Sequence, residues 1–521
     1  MPTTSENNKR IAKNTLLLYM RMIFLMLISL YTSRVVLSTL GVNDYGTYHA
    51  VGGVVLLLQF LNAALSNGTS RYITFELGKG EKGETNKVFQ TAFITHIALA
   101  LIIIIIAETI GLWFVTHKLV IPPERMSAAL FTFHCSVLAS AIAITQVPYN
   151  ALLISHERMN IYAYISIVEG VLKLLIVYLL LIISFDRLIV YAILVLIVQF
   201  TIAMTYRIYC IKSYKESTLH GLKFSKSLTK EMLVFSSWSL IGNAAHALNG
   251  QGMTIITNLF FGPQVVAARA LSIRINTAVM GLVQNFRTAA NPRIIKLYSG
   301  GDKNASQRLE LDSTRYAFLL MLLAVAPVFT ICDNLLHIWL VEVPPYTTIF
   351  VQLILLQSLF FTIDTSLYTA LYACGKVKVN ALISPMLYLL QFIVVYILFK
   401  LGFSPVVLSV AGVITSFVAG FLVKPVLLKH LAEYRYEDIY KSIGKALIAA
   451  LIVSPLMAYW GMHPMIELSA AIIKCLIVFF ITTLCVYYVG LKRNERTKLR
   501  SFIYNKINSI IRHKNNNILW K

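Results

Sequence analysis

The chain has 521 residues, of which 57% are hydrophobic and only 13% charged, and its mean hydropathy is +0.71. A water-soluble globule needs more polar surface than this, so the composition excludes one and points to an integral membrane protein. A net charge of +23 would suggest nucleic acid in a soluble protein, but here the lysines and arginines gather in every second loop, the signature of membrane orientation, and nucleic acid is not an expected partner.

The opening segment, MPTTSENNKRIAKN, is polar and basic, with no small-residue cleavage site after the first apolar run, so that run is expected to stay as an uncleaved anchor. Apolar runs long enough to cross a hydrocarbon core of about 30 Å then follow along the whole length. They fall near 14–40, 46–70, 87–115, 127–154, 161–184, 188–210, 231–260, 264–290, 311–339, 347–373, 379–400, 405–428, 443–461 and 465–490. Helices are the default, because an unpaired backbone group in lipid is costly and no run alternates like a barrel strand. The expected fold is therefore an all-α bundle of about fourteen transmembrane helices.

With residues 1–13 placed in the cytosol, Lys79, Lys82, Lys87, Arg158, the basic loop 211–230, Arg293, Lys296, Lys376, Lys378, Lys429, Arg435 and Lys441 all fall inside. The basic segment 491–521 follows them there, and the opposite loops keep little beyond Lys118, Arg125, Arg187 and Lys400. The outer loops, such as GVNDYG, HKLVIPPER and VEVPPY, are too short for an external catalytic domain. Between 496 and 514, Leu499, Phe502, Ile503, Ile507, Ile510 and Ile511 recur at helical spacing amid Arg500, Lys506 and Arg512. That pattern fits a basic amphipathic helix on the inner leaflet or, equally, a solvated tail.

Two halves of the chain repeat at an offset near 221 residues. LSTLGVNDYG at 37–46 matches LFFGPQVVAA at 259–268, and SRYITFELGKGEKGETNKVF at 70–89 matches PRIIKLYSGGDKNASQRLEL at 292–311. Repeats in this order predict two parallel six-helix lobes, 14–210 and 231–428, with the last two helices, 443–490, as an appendage. The same comparison disposes of a false lead. GKGEKG at 78–83 satisfies the letter of a dinucleotide fingerprint, but it joins two membrane spans instead of a strand to a helix, and its counterpart SGGDKN lacks the third glycine.

An ionisable group inside a span costs from about 2.5 kcal/mol upward, so each needs a partner or a wet cavity. Those that stand out are Arg34 in the first span, Arg269, Arg274 and Arg287 in the eighth, the Glu169/Lys173 pair in the fifth, Asp364 in the tenth and Lys474 in the last. Arg269 and Arg287 share a helical face with Asn276 between them, and Arg274 lies about 140° around. The seventh span carries Ser236, Ser239, Asn243, His246, Gly250, Thr254 and Thr257 at three-to-four spacing, and the second carries Tyr48, Gly52, Gln59, Asn62, Ser66 and Thr69.

Such stripes with cationic points describe a wet, positive cavity suited to an anionic head group, which a guanidinium grips bidentately. The expected phosphate-binding set is Arg34, Arg269, Arg274 and Arg287, lined by Tyr48, Gln59, Asn62, Asn243, His246 and Asn276. Bland readings stay open beside it. Polar stripes also glue helices together, Arg287 sits where it can snorkel, and Glu169/Lys173 at i,i+4 reads as a self-satisfied pair. Asp364 and His246 are candidates for ion coupling or for a hydrogen-bonded structural role. The six cysteines stand singly without histidine partners, so no metal, disulfide framework or cofactor is expected. The motifs of nucleotide, zinc or serine chemistry are missing, and an enzyme is not expected.

The run KNTLLLYMRMIFLMLISLYTSRVVLSTLGVNDYGTYHAVGGVV, followed by SNGTSRYITFELGKGEKGETNKVF, resembles the Wzx-type polysaccharide flippases of the multidrug/oligosaccharidyl-lipid/polysaccharide (MOP) exporter superfamily. The resemblance covers nearly the whole chain. It implies a two-lobed, MATE-like bundle in the bacterial inner membrane with both termini cytosolic. Such a bundle moves an undecaprenyl-pyrophosphate-type lipid-linked oligosaccharide to the periplasmic leaflet for O-antigen or capsule assembly. It further implies membrane lipids and glycan-assembly proteins as partners, and a monomer. Arg34, Arg269 and Arg274 stand where flippases of this superfamily carry cavity arginines. The MATE drug exporters usually place a carboxylate in the first or seventh span, where this chain has none beyond Glu231 at the very edge of the seventh, so export of a cationic drug is the disfavoured alternative. A membrane glycan polymerase or ligase is a third, lacking the large outer loop such enzymes use.

Overall fold

The computed structural model describes residues 4–501 apart from 222, 464–466 and 498–499. The amphipathic helix expected at 496–514 lies outside the described residues from 502 onward. In chain order the helices are α1 (Thr4–Leu57), α2 (Gln59–Gly78), α3 (Thr85–Ile106), α4 (Leu112–His117), α5 (Met126–Ser155), α6 (Met159–Ile182), α7 (Arg187–Ser213), α8 (Lys226–Ala247) and α9 (Met253–Ser299). They continue as α10 (Lys303–Thr330), α11 (Cys332–Trp339), α12 (Thr347–Ala373), α13 (Val377–Lys400), α14 (Val406–Phe417), α15 (Lys424–Ala432), α16 (Tyr436–Met462) and α17 (Leu468–Cys485). Wider π turns at Ala107–Gly111, Leu248–Gly252 and Val418–Val423 join α3 to α4, α8 to α9 and α14 to α15. Twelve stretches among the described residues are long and apolar enough to cross a membrane, and the protein is a multi-pass membrane protein.

The segments matched in sequence share a feature of backbone geometry. The two longest helices are each broken by one glycine, Gly41 (φ 78, ψ 167) in α1 and Gly262 (φ 75, ψ −174) in α9, a conformation essentially reserved for glycine. Gly80 and Gly301, in the two matched loops, also have positive φ, 61 and 88. Both pairs are 221 residues apart.

Backbone proximity sorts the chain into two compact units. The first comprises residues 1–281, 336–354 and 377–415; the second comprises 282–335, 355–376 and 416–521. These units record which residues lie close together, whereas the halves expected at 14–210 and 231–428 rest on sequence similarity alone, so the two divisions are of different kinds.

In the first unit, Phe89 of α3 meets Tyr149 of α5 edge to face at 5.1 Å, and Cys210 of α7 donates to the Tyr149 carbonyl. At the other end of these helices Arg125 forks between two carboxylates. Its Nε and Nη2 donate to Asp44 at 2.9 and 2.6 Å, and its Nη1 and Nη2 to Asp186 at 2.6 and 3.0 Å. Asp186 also caps α7, accepting from the amides of Leu188 and Ile189. Asn258 of α9 donates to the Val120 carbonyl at 3.1 Å and accepts from its amide at 2.8 Å. Gly46 packs so closely on Pro263 that a Cβ there would lie 1.8 Å from the proline oxygen.

In the second unit α10 packs on α16, where Ser442 donates to the Leu311 carbonyl. α10 begins at Lys303, eight residues before the expected 311, because Asp302 caps it by accepting from the Ala305 amide. The polar opening turns that read as loop bury Ser306 and Glu310 against partners inside the bundle. Large apolar side chains that stay exposed, among them Ile105, Leu181, Leu451 and Phe480, are what a lipid-facing surface requires.

Candidate functional site

Two cavities open side by side in the first unit. One, of about 700 Å³, is lined by Gln59, Ser140, Gln251 and Thr254 among others. The second, of about 430 Å³, is lined by Ser29, Ser33, Tyr45, Glu169, Lys173 and Tyr191. Tyr48, His49, Val195 and Arg274 belong to both.

The shared wall follows from helical spacing. Tyr45, Tyr48 and His49 stand at i, i+3 and i+4 on α1, so their rings cluster on one face. Tyr45 meets His49 at 4.6 Å, and Tyr48 meets Tyr191 of α7 at 4.8 Å, both edge to face. Gln59 is fixed by donating to Ser140 of α5, and Asn62 one turn on donates to the Gln59 side-chain oxygen Oε1 at 3.2 Å.

Arg274 reaches over this wall from α9, and its Nη1 donates to Ser29 at 3.2 Å. No carboxylate stands within ion-pair distance of it among the described residues. The one acid in the lining, Glu169, is held by Lys173 at 2.5 Å, the self-satisfied pair that the i,i+4 spacing suggested. Arg269 sits behind the wall, buried. It donates to Thr254 and to the carbonyls of Gly250 and Asn249 at 3.3, 3.3 and 3.5 Å. Those carbonyls belong to the π turn, which loosens the regular ladder and leaves oxygens in need of a donor.

The remaining sequence candidates fall elsewhere. Arg34 is exposed and outside both linings, one position round the helix from the inward-facing Ser33. Asn62, Asn243, His246 and Asn276 are likewise outside the linings; the His246 ring packs on Tyr388 at 5.1 Å.

Arg287 and Asp364 belong to the second unit, and each is engaged there. Arg287 is buried and paired with Glu310 at 3.1 Å, and it donates further to Ser313, to Thr369 and to the Ser366 carbonyl. It is a structural guanidinium, with its fork committed inside the bundle. Asp364 faces Lys424 of α15 at 3.3 Å, with both side chains buried.

Sequence reading missed Tyr45, His49, Tyr191 and Gln251. The i, i+3, i+4 aromatic spacing in DYGTYH was a usable signal for the first two; nothing local marked the others.

No protein-family model matches the chain, and no curated protein matches it. Solved structures do. An inward-facing multidrug resistance MATE family transporter of the MOP superfamily aligns with a TM-score of 0.66 at 16% identity, over 78% of this chain and 96% of its own. The lipid II flippase MurJ, in an inward closed conformation, aligns with a TM-score of 0.68 at 13% identity, over 91% and 99%. A MOP superfamily transporter from Pyrococcus furiosus, described as having a binding pocket of reverse polarity that suggests a different function, gives 0.59 at 18%, over 81% and 97%. The fold is that of the MOP superfamily transporters, a group that includes both drug exporters and a lipid flippase.

Proposed function

We propose that this protein is a flippase. It carries a polyprenyl-pyrophosphate-linked oligosaccharide from the cytosolic to the periplasmic leaflet of a bacterial inner membrane, by alternating access, for surface polysaccharide assembly. The observation that carries this reading is Arg274, a cation over the wall shared by two cavities whose one carboxylate is already neutralised by Lys173. A guanidinium with open donors suits pyrophosphate oxygens. The rings of Tyr45, Tyr48 and Tyr191 offer flat amphipathic faces to sugars. Splitting at Gly41 and Gly262 the two of the twelve candidate spans that contain them gives fourteen, in keeping with a 6 + 6 + 2 plan.

The rival reading, export of a small cationic molecule, has the fold of the MATE transporters in its favour but meets a positive cavity. The two separate in one experiment. Reconstituted protein is loaded with fluorescent lipid-linked oligosaccharide, and its exposure to an outer-leaflet lectin is followed for the wild type, Arg274→Ala and Arg274→Lys. Flipping that collapses in Arg274→Ala and partly returns in Arg274→Lys supports the flippase; undiminished flipping in Arg274→Ala overturns the role of Arg274. Efflux of cationic dye with no lipid movement overturns the flippase reading itself.

A further inference from the structure

A third cavity, of about 700 Å³, lies in the second unit and shares no lining residue with the two cavities of the first. Every segment that lines it is the end of a membrane span. Asn304, Gln307 and Arg308 come from the first turns of α10, Glu433 to Arg435 from the link between α15 and α16, Asp438 to Lys445 from the opening turns of α16, and Lys492 from just beyond the last span. Four span ends in one place put the cavity at the boundary between hydrocarbon and headgroups.

Its charges are unevenly used. Asp312 is held by Lys492 at 2.7 Å and by Arg315 at 3.2 Å, and Glu433 by Lys303 at 3.3 Å. Arg308, Lys441 and Lys445 meet no carboxylate within ion-pair distance among the described residues, and Asp438 is the one lining acid left without a cation. The lining therefore keeps a surplus of positive charge, with Ser442 and the buried Tyr434 beside it.

The surface that leads away from these cations is apolar. Lys441, Lys445, Ile448 and Ile452 follow one another at steps of four, three and four, so they share one face of α16. Ile448 and Ile452 are each 51% exposed. A cationic mouth at the headgroup level that continues into an exposed aliphatic stripe at acyl depth matches an amphiphile with an anionic head, and basic pockets between membrane helices hold such heads.

We propose that this cavity is a binding site for an anionic phospholipid. Arg308, Lys441 and Lys445 hold its phosphate, and the acyl chains lie along Ile448 and Ile452. The site shares no residue with the transport cavities, and its test does not depend on transport.

The full chain is reconstituted in nanodiscs of phosphatidylcholine with or without phosphatidylglycerol, and lipids retained after extraction are counted by native mass spectrometry. The wild type should retain phosphatidylglycerol and melt at a higher temperature in its presence. Arg308→Ala/Lys441→Ala/Lys445→Ala should bind about a hundredfold more weakly, as expected for three cations near the surface, while Lys441→Arg/Lys445→Arg keeps binding. A matched charge loss elsewhere, Lys79→Ala/Lys82→Ala/Lys87→Ala, should leave retention unchanged. Equal retention by the Arg308/Lys441/Lys445 variant overturns the site. Inorganic phosphate added to phosphatidylcholine discs reads the source of the phosphate: a melting shift equal to that of phosphatidylglycerol overturns the lipid assignment.

Discussion

Arg287 and Glu310 lie 3.1 Å apart with side chains only 5% and 0% exposed, an ion pair sealed inside a membrane-spanning bundle. Sealing two charges away from water is costly, and the pair persists because the remaining donors are met as well, by Ser313, Thr369 and the Ser366 carbonyl. Removing one partner leaves the other charge buried and alone. Glu310→Ala should therefore destabilise the protein by about 3–5 kcal/mol, seen as a large fall in melting temperature in detergent. The double variant Arg287→Met/Glu310→Leu should recover most of the loss. A single variant as stable as wild type would show that the site admits water.

The broken helices separate two uses of glycine. Gly41 has a backbone conformation that only glycine adopts easily, but a Cβ there would meet nothing within 4 Å. Gly41→Ala should cost about 1–3 kcal/mol in backbone strain. A Cβ on Gly46 would instead lie 1.8 Å from the Pro263 oxygen, a clash that no side-chain rotation relieves. Gly46→Ala should abolish stable folded protein, and size-exclusion profiles of the two variants should rank them in that order.

Asn258 satisfies both backbone groups of Val120 with one buried amide. Asn258→Leu keeps the size but leaves two polar groups without partners, at about 1–3 kcal/mol each. Hydrogen exchange at the Val120 amide should accelerate strongly in that variant, while the amides around Phe89 and Tyr149 stay protected.

The Arg125 fork makes part of the stability pH-dependent. Arg125 holds the Asp186 carboxyl below its ordinary range, chiefly by donating to it, with the amides of Leu188 and Ile189 adding to the effect. A depressed carboxyl contributes stability above its unfolded value of about 3.9, and that contribution is lost as pH falls through the lower folded value. Melting temperature should hold between pH 7 and 5 and drop toward pH 3. Asp186→Asn should melt lower at pH 7 and show a shallower acid decline.

Membrane class and the paired glycine breaks were legible because they rest on local quantities: apolar run length and glycines recurring at a fixed offset. Gly41 and Gly262 show how far that reaches, since a conformation open mainly to glycine must be written as glycine wherever it recurs.

Which polar residues share a cavity was beyond local reading. The stripe through Asn243, His246, Gly250 and Thr254 assumes an unbroken period of 3.6 residues, but the π turn at Leu248–Gly252 inserts a wider turn and shifts the register. Gly250, Gln251 and Thr254 consequently line the cavity, while Asn243 and His246 do not. Arg34 differs from Ser33 by one step of about 100°, and only packing decided that Ser33 faces the cavity. Arg287 was separated from Arg274 by a partner 23 residues along, Glu310, in a segment whose polarity read as loop. Sequence therefore determined that intramembrane arginines had to be satisfied, because hydrocarbon tolerates no bare charge. The tertiary structure decided which was satisfied by a carboxylate and which was left facing a cavity, because burial and pairing depend on neighbours far apart in the chain.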